Sequence, residues 1–109
     1  MKSNYRFLTV NNLNEQIAAD GEKVQFHGIF ENGNGGVALL AFKAGQKLDT
    51  HLAPAEVMVL AMDGEIDFTT NGEAHRLRKG EFLLMGADVP HSVEAVTDAK
   101  VMLVKIKPD

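Results

Sequence analysis

An all-β chain, rolled into an antiparallel barrel, is what these 109 residues predict. Three observations lead there. Ten glycines punctuate the sequence at fairly steady intervals. Between them lie short runs rich in Val, Leu, Ile and Phe, the pattern of short strands joined by turns. Only one stretch, near the N-terminus, reads as helix.

The elements follow in order. Residues 13–19 predict a short helix, with Asn11 or Asn12 as its cap and Glu15 at its positive end. A helix that short does not stand alone, so it must pack on the barrel or fray. Strands are predicted at 24–30, 36–43, 47–52, 56–62, 65–70, 74–77, 82–85, 92–95 and 100–107. Residues 57–62 have a helix-compatible composition, but their brevity, two valines and the flanking Pro54 and Gly64 favour a strand. Asn71-Gly72 is the preferred pair for a two-residue hairpin, where both residues need φ > 0. Asp63-Gly64 is a second such pair or a bulge. Strands this short and numerous predict a double sheet closed into a barrel. Residues 1–35 are expected to supply N-terminal strands and the helix, packed on a barrel of residues 36–109, one domain in all.

Composition narrows the function classes. Apolar residues make up 45%, enough for a packed core. There is no Cys, which excludes disulfides, thiolate zinc sites and a cysteine nucleophile. Net charge is −4, and the basic residues cluster only at Arg76, Arg78 and Lys79, too few for a phosphate-tracking face. The longest apolar runs, 37–42 and 57–62, are too short to cross a bilayer, and the first residues lack the apolar core of a secretory signal. The expectation is a soluble, cytoplasmic protein with no nucleic-acid or membrane partner. No P-loop, dinucleotide fingerprint or Ser-His-Asp arrangement stands in a suitable context.

The chemistry must come from imidazoles and carboxylates. Of the four histidines, His51 ends one predicted strand and His91 opens another. Both follow turns, where side chains line the mouth of a barrel. One His from each of two strands plus a carboxylate would make an open metal site. His27 and His75 belong to no such constellation and read as surface or hydrogen-bonded residues, His75 partly buried by its parity with Leu77. Met58, Met62, Met85 and Met102, with Phe42, Phe68 and Phe82, read as core.

The pattern around the two histidines resembles the cupin family. Gly45 to His51, Glu56 and Gly64 are similar to its first motif, and Gly80 to Pro90-His91 to its second. The resemblance spans residues 36–106. It implies a jelly-roll barrel, the antiparallel double-stranded β-helix, with a metal site or small-molecule site inside and homodimers in common. The departures are as informative. Ala53 stands where the first motif has its second His, Val57 stands at the spacing of its Glu, and Gly86, Asp88 and Glu94 replace conserved-type positions of the second motif. The resemblance then assigns His51 and His91 as metal ligands, with Glu56 as third and Asp49 as an outside candidate sharing strand parity with His51. A divalent Fe, Mn, Ni or Zn suits two imidazoles and a carboxylate. The function expected is binding of a small molecule, with or without such a metal. The alternative that the family implies is a metal-dependent oxygenase, isomerase or decarboxylase acting on a small organic acid or sugar-like compound. The residues leave open whether the protein is an enzyme, and they name neither substrate nor metal.

Overall fold

Alternation of apolar and polar side chains turns each of these runs into a strand with one face inward. The computed structural model describes residues 2–109. Its strands are β1 (Lys2–Ser3), β2 (Gln25–Asn32), β3 (Gly35–Phe42), β4 (Lys47–His51) and β5 (Glu56–Asp63). They continue with β6 (Glu65–Thr70), β7 (Glu73–Arg78), β8 (Phe82–Met85), β9 (His91–Ala95) and β10 (Ala99–Ile106). Every predicted strand is present; only β1 was not expected. It is two residues long, pairing with Phe30 and Glu31, and carries no hydrophobic period to reveal it.

The strands form a six-stranded sheet in the order β1-β2-β3-β10-β5-β8 and a four-stranded sheet in the order β4-β9-β6-β7. All pairings are antiparallel. The chain crosses between sheets at β3–β4, β4–β5, β5–β6, β7–β8, β8–β9 and β9–β10, and this rolls the two into a barrel. The core lies between them. Phe42 and Val59 of the larger sheet meet Ile66 and Phe68 of the smaller, all buried. Phe82 is not core, as its residue type suggested, but 57% exposed. It sits on the outer face of the larger sheet, opposite Leu60 in register.

The outer face of β3 is covered differently. Leu39 and Ala41 are fully buried, although they face away from Leu40 and Phe42. The N-terminal segment is tied across this face: the Tyr5 hydroxyl bonds His27 Nε2 at 2.5 Å, and Lys100 Nζ donates to the Asn14 carbonyl. His27 is therefore a tether. Within this segment the expected helix over 13–19 shrinks to one 3-10 turn, Leu13–Glu15. Its cap is one of the two expected, Asn12, whose side chain accepts from Asn14 N at 3.0 Å. The turn buries none of its residues, so nothing repays its extension.

Two turns rest on glycine. Asn71 and Gly72 both have positive φ, 52° and 73°, as the two-residue hairpin requires. At Asp63-Gly64 only Gly64 does, at 75°, and the β5–β10 ladder slips a residue beside it. A Cβ on Gly64 would stand 2.0 Å from the Asp98 carbonyl oxygen, while one on Gly72 meets nothing within 4 Å. Gly72→Ala is expected to cost about 1 kcal/mol, the penalty of the left-handed backbone alone. Gly64→Ala adds a backbone clash and should cost at least about 2–3 kcal/mol. Denaturant midpoints of the two variants at pH 7.5 check the order.

Candidate functional site

The two motif histidines come together because β4 and β9 are neighbours, and His51 stands directly opposite His91. Their ring centroids are 4.2 Å apart, tilted at 59°. On β9, plain alternation points His91, Val93 and Ala95 inward, and all three are buried. On β4 alternation is broken. Leu48 pairs with Val93 and His51 with His91, so β4 carries one extra residue between the pairs. Leu48 and His51, three apart, both face the interior. Parity had assigned Asp49 to the face of His51. The bulge instead sends Asp49 to the outer face of the smaller sheet, in a groove with Lys47, Asp67 and Glu94.

Each imidazole is fixed by a backbone carbonyl. His51 Nδ1 lies 2.8 Å from the Asp49 oxygen and His91 Nδ1 2.8 Å from the Val89 oxygen. A carbonyl only accepts, so Nδ1 carries the proton and Nε2 of the neutral ring is left as an acceptor. His91 is 6% exposed and stacks on Phe68, centroids 5.1 Å apart and planes within 11°. Burial depresses its pKa below 6.5; the charges of His51 and Lys105 add to this, and the Val89 carbonyl opposes it.

The pair faces a cavity of about 260 Å³ with an apolar wall that includes Leu40, Val59, Phe68 and Leu103. Besides the two imidazoles, the charged or titratable group in that wall is Lys105; no Asp or Glu lines it. Ala53 is at the wall, with a methyl where the first motif has an imidazole. Glu56, the expected third ligand, is elsewhere. It opens β5 opposite Ile106, and the inward position falls to its buried neighbour Val57. Glu56 borders an outer groove with Met58, Leu84 and Ile106. No bulge lies between it and Val57 to turn it round.

The donor set is thus two imidazole nitrogens. Among the described residues, no group of three or more His, Cys, Asp or Glu is placed to hold a metal ion. Tight transition-metal sites have three or four protein ligands, so these residues do not fit a resident metal. His75 is exposed: it lies on the edge strand β7. Two wall residues escaped the sequence reading. Phe68 was assigned to the core without its stacking role. Lys105 follows Val101 and Leu103 at two-residue spacing on β10, a signal that was there but needed the strand's inward face to be known.

Among the described residues no helix is long and apolar enough to cross a membrane. Comparison with known proteins adds family and fold. The family model for the cupin domain matches residues 38–107. A conserved protein of unknown function from Streptococcus pyogenes superposes with a TM-score of 0.88 at 23% identity, over 100% of this chain and 97% of that one. An RmlC-like cupin protein from Desulfovibrio desulfuricans does so at 0.82 and 28%, over 94% and 99%. A predicted oxalate decarboxylase from Thermotoga maritima shares 18% identity at a TM-score of 0.71, over 78% and 81%, a likeness of fold alone. No curated protein sequence matches.

The depressed His91 pKa sets a pH dependence. Below about pH 6.5 the unfolded chain takes up a proton that the folded chain resists, so stability falls with pH through this window. Asp67 behaves separately: its hydrogen bond to Arg76 lowers its pKa from 3.8, so its contribution is lost only in stronger acid. The urea midpoint is expected to drop between pH 7.5 and pH 5.5, and the drop should shrink in His91→Gln.

Proposed function

This chain belongs to the cupin family, and we propose that its barrel binds one small organic molecule seated on the His51–His91 pair. The observation that carries the reading is the pair itself: two anchored imidazoles, 4.2 Å apart, at a largely apolar cavity with Lys105 at its edge. Such cavities hold ligands by apolar contact and orient them with a few polar groups. At about 260 Å³ it lies below the roughly 300 Å³ at which drug-sized sites begin, which suits a small metabolite. Both Nε2 atoms accept, so the fitting ligand presents a hydroxyl or amine donor to them.

The family resemblance also implies metal-dependent catalysis. Two imidazoles without Glu56 or a second motif histidine make a poor site for a resident ion, so no reaction step is assigned to one. The paired residues are assigned to ligand contact instead. Elemental analysis of freshly purified protein is expected to find well under half an equivalent of transition metal per chain. A stoichiometric metal that survives dialysis would turn the reading toward the metal-dependent enzyme. In chelator-treated protein, a small-molecule fragment present at 100 times its Kd should stabilise the fold by about 2.7 kcal/mol. His51 is exposed at the cavity, so His51→Ala should fold and lose this shift. A shift that persists in the variant counts against the site.

A homodimer is part of the same proposal. Phe82, Leu84 and Ile106 expose 57%, 74% and 57% on the outer face of the larger sheet, an apolar surface suited to a second copy. Light scattering is expected to give twice the 11.9 kDa chain mass, and Leu84→Glu to halve it.

A further inference from the structure

Lys105 is out of keeping with its row. Ala99, Val101, Leu103 and Lys105 follow one another on the inward face of β10, which runs through the middle of the larger sheet. The first three are apolar and belong to or pack on the core. The last brings its charge to the edge of the same cavity, where no carboxylate lines the wall. All the ion pairs among the described residues lie elsewhere, joining Arg76 and Arg78 to Glu65 and Asp67. Lys105 therefore forms no ion pair among the described residues, and no carboxylate lines the cavity beside it. Lys105 is exposed at the cavity edge, so water solvates its charge in the free protein, and an anion entering the cavity meets that charge with no carboxylate of the wall to compete for it.

Resting on the reading that the barrel binds a small molecule, we propose that Lys105 makes the cavity selective for an organic anion, a small hydroxy acid whose carboxylate pairs with the ammonium. The hydroxyl donates to the unprotonated Nε2 of His91 or His51. The apolar body lies against Leu40, Val59, Phe68 and Leu103. The lysine supplies fixed positive charge without a metal ion. That Lys105 and His91 share one electrostatic environment is visible in the lowering of the His91 pKa by the lysine charge.

The test uses chelator-treated, full-length protein and two scaffolds, mandelate and 2-hydroxyhexanoate, each against its neutral amide, by calorimetry. The acids are expected to bind at least about tenfold more tightly than the amides, the difference that one charge-assisted hydrogen bond makes. Lys105→Met keeps the side-chain stem and removes the charge; it should bring acid and amide to equal affinity. Lys105→Arg should restore part of the preference. Equal affinities in the wild type would overturn the role of Lys105 and leave the binding cavity standing. An acid preference unchanged in Lys105→Met would do the same. If none of the four compounds binds, both the cavity reading and the anion proposal fall. Binding that appears only after Mn²⁺, Ni²⁺ or Zn²⁺ is added would overturn the metal-free anion site.

Discussion

The pairing of β4 with β9, and the single extra residue within it, governs the rest of the cavity. Without that residue the two-residue alternation from Leu48 would turn His51 outward, on the same face as Asp49. With it, two imidazoles from distant parts of the chain stand opposite each other, and their local Asp49 and Val89 carbonyls fix which nitrogen faces the cavity. Asp49, next to the inward Leu48, stays on the outer face, and the bulge parts His51 from it, so the wall between the sheets gains an imidazole without an acidic group. One local irregularity thus sets the geometry of the imidazole pair.

The rest of the barrel supports that pair. Phe68 of β6 stacks on His91 and holds it at 6% exposure, and this burial is what makes the imidazole resist protonation. The N-terminal segment closes the outer face of β3 through Tyr5, His27 and Lys100, so Leu39 and Ala41 are buried without a third sheet. Chemistry and stability are coupled here in a simple way. The residues that shape the cavity are also core residues, whereas His51 and Lys105 stand exposed at its edge.

Much of the fold was legible in the residues. Glycine punctuation and alternating apolar runs place nine of the ten strands, and Asn71-Gly72 names its own turn. The short helix over 13–19 was over-read, because capping residues mark a start but say nothing about whether an apolar face will be covered. For the site, motif spacing found His51 and His91. It assigned Glu56 as a partner, yet the strand puts Val57 inward and Glu56 in an outer groove. Lys105 had the right spacing and no motif to point to it.

By itself the amino-acid sequence determined the all-β class, the turns that need positive φ and the two histidines worth watching. These follow from local rules: side-chain period, glycine's freedom at left-handed positions and residue chemistry. Only the tertiary structure decided which face each residue took. A bulge reverses strand parity, and it does so through pairing with a strand distant in the chain, Leu48 with Val93 and His51 with His91. The composition of the cavity wall, with its lysine and without an acid, is likewise a property of strands from both sheets meeting, which no single segment encodes.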